Sequence, residues 1–355
     1  MKRVLVFALV AVLALQFGAV VFASGQGEAE AAGGEASGSE LPQIEAQIAH
    51  SPNPGGTAGA QAFKEYVESA TDGRFTINPI SYDALGSVRE VTDQVRLGEM
   101  EFHSPGTVGL VGVWPDLQMV NMPFLFTDRQ AFWEVMQDEE YVGFIRDAID
   151  EASNGTIRYL GAAENSVRNL YTNVKVRVPA DMEGLMIRVQ EAPIMQAVWS
   201  GLGAGEVVAM SGSERNAAVQ SGTLDAIEGS FGGAWGGGNL AVLGNATLTG
   251  HVYDYMHYMA NSEFYSSLPA EYQQVVDEGI AAAVDAHNQA AFDDEAASIE
   301  EAKEAGVWVY QPTADELAIW QEQAVATGEE FLREVVSDEF YELTLDVVER
   351  IHAAQ

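Results

Sequence analysis

Two segments of the chain place apolar residues first at strand spacing and then at helix spacing, and this order predicts two α/β units. In the first unit, residues 44–48 alternate as a short strand, and a helix with Phe63 and Val67 on one face follows. The second unit opens with an apolar strand at 185–189 that only Arg188 interrupts. Strands that alternate with helices favour parallel pairing, and 355 residues exceed the usual size of one core. We therefore expect an α/β protein with two lobes.

Helix starts in both units carry a specific signal. Ser87 precedes Glu90 by three residues, and Ser211 precedes Glu214 by the same spacing. This spacing is typical of a capping box, in which each side chain bonds the other residue's backbone N–H. In the second unit the next strand is expected at 224–227.

A long segment near the C-terminus, residues 269–305, consists mostly of helix-forming residues. At 1.5 Å per residue, one helix over this segment would extend roughly 55 Å, which is enough to cross both lobes. Gly279 leaves open a break at that point.

The N-terminus has the pattern of an export signal. A basic start is followed by an apolar run and by small residues that suit cleavage after residue 23, so 1–23 is interpreted as a signal peptide and the protein as periplasmic. The alternative is an uncleaved membrane anchor, because apolar residues continue to Phe22. Residues 24–43 are an acidic Gly, Ala and Glu linker that is expected to be disordered.

Charge and composition exclude several classes of protein. Seventeen Lys and Arg face 53 Asp and Glu, and the net charge of −36 disfavours binding to nucleic acid or to anionic lipid. The chain has no cysteine, which excludes disulfides, thiolate metal sites and a thiol nucleophile.

Enzyme motifs are missing from the sequence. The six histidines lack the i, i+4 pairing of a helical zinc site, and no Gly-x-Ser-x-Gly elbow occurs. The glycine-rich stretch at 230–238 is expected to be a loop, and it has neither the lysine of a P-loop nor the dinucleotide fingerprint. We expect no catalytic residues, no metal site and no cofactor.

Arg188 stands out because cations are scarce and its neighbours predict a buried strand. An unpaired guanidinium there would be very costly, so it needs an anionic partner. That partner is either an internal Asp or Glu or a ligand carboxylate, since open α/β sheets bind ligands at the carboxyl ends of their strands. Arg168 is a second candidate, although taken alone it has the pattern of a surface loop residue.

Four segments together resemble one family, the DctP-like solute-binding subunits of TRAP (tripartite ATP-independent periplasmic) transporters, over nearly the whole chain after the signal. They are Leu-Gly-Ser-Val-Arg-Glu at 85–90, Asn-Met-Pro-Phe-Leu-Phe at 121–126, Val-Pro-Ala-Asp-Met-Glu-Gly-Leu-Met-Ile-Arg-Val at 178–189 and Gln-Ser-Gly-Thr-Leu-Asp-Ala-Ile-Glu at 220–228. The order and spacing of these motifs are more specific than any one of them.

The resemblance implies a type II periplasmic binding protein, with a ligand cleft between two lobes and a long helix spanning both. It implies that lobe I comprises 44–165 plus 254–294, and lobe II 166–253 plus 295–355. It also implies a small organic acid as ligand, TRAP membrane permease subunits as partners and no turnover. The protein is expected to be a monomer. The remaining alternatives are a ligand-sensing protein for a signalling receptor and a secreted enzyme acting on organic acids or glycans.

Residue by residue, the resemblance makes Arg188 the principal ion pair to the ligand carboxylate and Arg168 a second arginine near the ligand. Gly229 replaces a frequent asparagine, and Glu191 replaces a polar, uncharged contact. A carboxylate at Glu191 would repel a second ligand carboxylate and accept hydrogen bonds from hydroxyl or amino groups, or it caps the helix that begins at Pro193.

Five further residues are candidate ligand contacts. Phe231 and Trp235 either stack on the ligand or pack in the core, and glycines beside them would let the backbone approach the cleft. His50 closes a predicted strand and either lines the cleft or is an ordinary polar residue. Ser87 and Gly212 lie in segments that are expected to shape the cleft.

Overall fold

The computed structural model describes residues 41–126 and 128–354. The predicted signal peptide, 1–23, and positions 24–40 of the predicted linker lie outside the described residues. In the described ranges, no helix combines the length and the apolar character needed to cross a membrane.

The described residues form one mixed sheet flanked by helices. The strands are β1 (Ile44–His50), β2 (Phe75–Ser81), β3 (Phe102–His103), β4 (Ile157–Thr172), β5 (Met186–Val189), β6 (Glu206–Ala209), β7 (Ala226–Ser230), β8 (Asn245–Asn261) and β9 (Trp308–Tyr310). The α-helices are α1 (Pro54–Ala70), α2 (Val88–Leu97), α3 (Thr107–Leu110), α4 (Arg129–Met136), α5 (Glu139–Ala152), α6 (Pro193–Gly201), α7 (Gly212–Gln220), α8 (Phe231–Gly236), α9 (Asn239–Leu243), α10 (Ser262–Ser267), α11 (Ala270–Glu304), α12 (Ala314–Val335) and α13 (Asp338–His352). The strand order is β2-β1-β3-β8-β4-β7-β5-β6, with β9 paired to β8.

The first α/β unit forms one end of the sheet. Strand β1 pairs in parallel with both β2 and β3, as the alternation of strands and helices predicts. The predicted capping box is confirmed: Ser87 accepts from the backbone N–H of Glu90, and the Glu90 side chain accepts from that of Ser87. The start of α2 lies near the C-terminal end of β1, because the ring of His103 contacts the carbonyls of both Ala49 and Val88, at 3.1 and 3.4 Å.

The second α/β unit forms the other end of the sheet, where β5 pairs in parallel with β6 and β7. The capping box of Ser211 and Glu214 is confirmed at the start of α7. The strand expected at 224–227 instead covers Ala226–Ser230, because the side chain of Asp225 accepts a hydrogen bond from the backbone of Met186 and holds the turn before it. The two ends of the sheet make the protein a two-lobed α/β fold.

Two long antiparallel strands, β4 and β8, join these ends, and the predicted elements did not include them. Their register runs from Ile157 opposite Asn261 to Thr172 opposite Asn245. Three irregularities interrupt it, one of them between Glu164 and Ser166. Burial on both faces and these bulges remove the strict alternation by which a strand is recognised in sequence.

Helix α11 runs unbroken for 35 residues, or about 52 Å at 1.5 Å per residue. Gly279 does not interrupt it: a Cβ at that position would lie 3.1 Å from the ring of Phe63, so the glycine allows α1 to pack closely. Further along, α11 packs on α8 and β9 at the other end of the sheet. One helix therefore contacts both lobes, as expected.

Candidate functional site

Arg188 lies at the carboxyl end of β5 and is 5% exposed. Its guanidinium donates from Nε and Nη2 to one neutral acceptor, the carbonyl oxygen of Met210. Burial lowers its pKa to about 9, opposed by the negative charge of Glu228 and assisted by two neighbouring arginines. Among the described residues Arg188 forms no ion pair, so the internal carboxylate considered as its partner is not present there.

Arg168 is also buried, at 6% exposure, but it is fully paired. Its Nε and Nη2 donate to the two carboxylate oxygens of Glu228, each at 2.7 Å, and its Nη1 donates to Asp254 at 3.2 Å. Burial alone would lower the pKa of Arg168, but the charges of Glu228 and Asp254 outweigh it and raise the pKa. The prediction that Arg168, taken alone, is a surface loop residue is therefore wrong, because Arg168 is buried within β4.

Glu228 is the central acid of this cluster and has no exposed surface. Burial acts to raise its pKa, but the guanidinium of Arg168 and a contact with His251 outweigh burial and hold the pKa well below its usual value. Nε2 of His251 lies 3.5 Å from Glu228. Glu228 stays ionised and neutralises Arg168.

A hydrogen-bond chain leads from this cluster to the other end of the sheet. The Asn165 amide donates to Asp254 at 2.9 Å, and Asn53, which caps α1, donates to the Asn165 amide oxygen. Because β1 and α1 belong to the first α/β unit, the chain links the two units through neutral amides.

The sequence analysis did not single out Arg215. The scarcity of cations in this acidic chain was a signal that could have pointed to it. It lies on α7, where Ser-Glu-Arg-Asn at 213–216 has the pattern of a solvated helix turn. Its Nε and Nη2 donate to the Asn216 amide oxygen at 3.2 and 3.1 Å. Tyr82, from the segment after β2, is close enough for the charge of Arg215 to lower the Tyr82 pKa, although burial raises that pKa overall.

The glycine-rich segment is a helix, α8, and was wrongly expected to be a loop. Phe231 has no exposed surface and packs edge-on against Tyr171, with ring centroids 5.7 Å apart. A Cβ at Gly232 would lie 1.7 Å from the carboxylate of Asp294, so that glycine lets α8 approach α11. Nε1 of Trp235 donates to Glu301 of α11 at 2.9 Å.

Gly229 lies just before α8 at φ 151°, in strand β7, and its carbonyl accepts from the Tyr171 hydroxyl. A Cβ at Gly229 would lie 3.8 Å from Nη2 of Arg168. Gly229 therefore lies beside the charged cluster.

Glu191 is exposed, and only its backbone carbonyl makes a described contact, accepting from Arg89 at 2.8 Å. The cap residue of α6 is Ala192, with no side-chain cap, so Glu191 does not cap that helix. Solvent around the Glu191 carboxylate weakens the repulsion that it was expected to exert on a second ligand carboxylate.

Three other expected contacts have local partners. His50 is 8% exposed and its Nδ1 donates to the carbonyl of Ser51 at 2.7 Å. Ser87 is exposed in its capping box, and Gly212 is exposed at the first turn of α7. The structure thus places Arg188, Arg168 and Gly229 around one acid, while Glu191, Ser87 and Gly212 lie at the surface.

A cavity of about 310 Å³ lies elsewhere, between β4 and α11. Apolar side chains line most of it, and its charged lining residues are Asp277 and Asp285. An apolar and acidic lining does not suit a carboxylate, so this cavity is not the candidate site.

The chain is similar to several known proteins. A profile of the DctP family, described as bacterial extracellular solute-binding protein, family 7, matches residues 46–334. The C4-dicarboxylate-binding periplasmic protein DctP of Rhodobacter capsulatus is 25% identical over 280 residues, covering 78% of this chain and 82% of that protein.

Two solved structures share the fold. The sugar acid binding protein DctPAm of Advenella mimigardefordensis, in complex with galactonate, has a TM-score of 0.81 and 21% identity, covering 88% of this chain and 99% of that one. A TRAP periplasmic solute-binding protein of Anaerococcus prevotii with bound glucuronate has a TM-score of 0.80 and 24% identity, with coverage of 88% and 99%. Since the family profile spans most of its length, the chain belongs to the DctP family of bacterial extracellular solute-binding proteins.

Proposed function

We propose that the protein captures a small organic acid in the cleft between its two lobes and delivers it to the membrane permease of a TRAP transporter. The observation that carries this proposal is Arg188, a buried cation at a strand end whose one acceptor among the described residues is a carbonyl. A guanidinium in that position forms two parallel hydrogen bonds with a carboxylate, which also neutralises the charge.

The family relatives support an acid as ligand. The solved neighbours hold galactonate and glucuronate, and the Rhodobacter relative is described as binding C4-dicarboxylates. Each of these ligands carries a carboxylate, which is the group that Arg188 would bind. We propose that Arg168 does not replace Arg188 in this role, because both of its acidic partners are internal.

We propose lobe boundaries at 165/166, 253/254 and 294/295. Ser166 pairs with Asp254 in the sheet register, next to an irregularity of β4, so two of the boundaries face each other. Glu295 of α11 lies beside the same place, since its carboxylate accepts from the backbone of Val167. Bulged strands bend more readily than regular ones, so closure around a ligand would occur here.

We infer that binding occurs without turnover. His103, His257 and His287 are buried, and burial lowers their pKa values to about 4, 3 and 4, so at neutral pH they remain uncharged parts of the core. The test is to recover the bound acid from purified protein. A chemically unchanged acid would support this inference, and a converted product would favour a secreted enzyme. A ligand-sensing role for a signalling receptor is distinguished by whether the cognate permease transports the acid.

Export with cleavage after residue 23 and a monomeric state are further parts of the proposal. Intact-mass analysis of the exported protein tests the cleavage, and light scattering tests the monomer. A mass that retains residues 1–23, with the protein in the membrane fraction, would mean that the segment is an anchor.

The role of Arg188 is tested by calorimetric titration with organic acids. Removing one partner of a buried, hydrogen-bonded charge pair costs about 2–5 kcal/mol, so Arg188→Ala is expected to weaken binding by roughly thirty-fold to several thousand-fold. Arg188→Lys retains the charge without the planar fork, so its affinity should fall between those of wild type and Arg188→Ala. Near-normal affinity in Arg188→Ala would contradict the proposed binding mode.

A further inference from the structure

Arg215 is a second guanidinium near Arg188, and within the ranges 41–126 and 128–354 no acid is bonded to it. Its acceptor is the amide oxygen of Asn216, which also accepts from Asn239 at 2.8 Å. Burial lowers the pKa of Arg215, and the positive charge of Arg168 lowers it further. In the described part of the chain Arg215 forms no ion pair.

Arg215 lies on the helix that begins beside Arg188. Helix α7 begins directly after Met210, the residue whose carbonyl accepts from Arg188. The charge of Arg215 acts on Arg188 in the second lobe and on Tyr82 in the first. Arg215 follows Met210 by five residues, in the first turns of α7, so a molecule whose carboxylate is held by Arg188 would extend beside that helix.

The hydrogen-bond partners in the cluster point to the same conclusion. Glu228 and Asp254 contribute two negative charges, and both are already bonded to Arg168. A ligand carboxylate on Arg188 would leave Arg215 with a neutral amide alone. Arg215 is half-buried, and an additional oxygen acceptor would stabilise a guanidinium in that state.

We propose that Arg215 is a specificity-determining residue, binding an oxygen at the end of the ligand opposite the carboxylate held by Arg188. This inference rests on the proposed function. It selects acids with a second carboxylate or with hydroxyl groups far from the first carboxylate, over acids with an apolar end. A second carboxylate gains more than a hydroxyl, because hydrogen bonds between ions are stronger.

The competing interpretation is structural, with Arg215 serving only to hold Asn216 and the start of α9. The two differ in whether the effect of substitution depends on the ligand. A structural role changes all affinities together or lowers ligand-free stability, whereas a specificity role changes affinities selectively.

The test is calorimetric titration of wild type, Arg215→Met and Arg215→Lys with succinate, gluconate and butyrate, which differ in their far ends. Arg215→Met is expected to weaken the affinity for succinate by about thirty-fold or more and the affinity for gluconate by about ten-fold. The affinity for butyrate should be unchanged. Arg215→Lys should recover part of the succinate affinity. Arg333→Met, which removes an exposed guanidinium on α12, is the matched control and should change none of the three.

Equal losses for all three acids, no loss for any, or a collapsed unfolding midpoint of ligand-free Arg215→Met would each overturn the proposal. Arg188→Ala, titrated in parallel, separates this result from the proposed function. If Arg188→Ala loses affinity for every acid while Arg215→Met loses affinity for none, the proposed carboxylate site at Arg188 is supported and the proposed role of Arg215 is wrong. If wild type binds none of the three acids, both fail.

Discussion

Arg168 and Arg188 lie on neighbouring parts of the same sheet and are 6% and 5% exposed, yet their surroundings are opposite. Arg168 has two carboxylates, and its pKa is raised; Arg188 has one carbonyl, and its pKa is lowered. Glu228 lies near both but gives its carboxylate oxygens to Arg168. Burial of a cation therefore does not by itself indicate a ligand site, and the distribution of acids between the two arginines is what distinguishes them.

The largest effect expected from this comparison is in ligand-free stability. Arg168→Met would leave Glu228 and Asp254 without their cation, and it should lower the free energy of unfolding by about 3–5 kcal/mol. Denaturant melts without ligand measure it, with Arg333→Met as the exposed control. Adding Glu228→Gln should restore part of the loss, and unchanged stability in Arg168→Met would remove the distinction between the arginines.

A second prediction extends the comparison to carboxylates. Glu164 is buried like Glu228, but its pKa is raised whereas that of Glu228 is lowered. Burial raises the pKa of Glu164 to about 7, opposed by Arg129. The folded state then binds a proton at Glu164 more tightly than the unfolded state does. The contribution of the protonated Glu164 to stability is therefore fully present below pH 4 and is lost as pH rises through 7. Glu164→Gln should remove a decrease of about 3 kcal/mol between pH 4 and pH 8.

The measurement for Glu164 is the free energy of unfolding against pH for wild type and Glu164→Gln. Glu140→Gln, at an exposed position, is the control and should follow wild type. Parallel curves for wild type and Glu164→Gln would mean that Glu164 is ionised throughout.

A smaller and opposite effect is expected for Arg188 without ligand. Since Arg188 has no ionic partner in the part of the chain that the structure describes, Arg188→Met should raise the free energy of unfolding by about 1 kcal/mol. Melts at pH 7 without ligand, compared with those of Arg168→Met, measure the difference. A loss as large as that of Arg168→Met would show that Arg188 has an internal partner in solution.

The smallest effect concerns Glu191. Its side chain is exposed and only its carbonyl is bonded, so Glu191→Gln should change ligand affinity by less than about 0.5 kcal/mol, or two-fold. Titration with a monocarboxylate and a dicarboxylate checks this. A selective gain for the dicarboxylate would restore the repulsive role expected from the sequence.

The sequence predicts local features well and long-range ones poorly. Both capping boxes are confirmed, because residues three apart determine them. Strands β4 and β8 were not predicted, since both faces are buried and their pairing is distant in the chain. The helix α8 was expected as a loop because glycines favour turns, whereas here they allow contact with α11.

The same division applies to the candidate site. The burial of Arg188 followed from its apolar neighbours, which are adjacent in sequence. The partners of Arg168 and the approach of Arg215 to Tyr82 depend on how distant segments meet, and no local pattern contains that information.

The pairing of β4 with β8 also constrains how the chain can fold as it is synthesised. When synthesis has reached residue 250, β4 is complete, but the part of β8 that pairs with β3 and the whole of α11 do not yet exist. The first unit then presents open strand edges and an uncovered apolar face, which is the kind of intermediate that aggregates. The first unit therefore cannot complete its sheet and its helix packing until β8 and α11 have been synthesised, which is late in the chain.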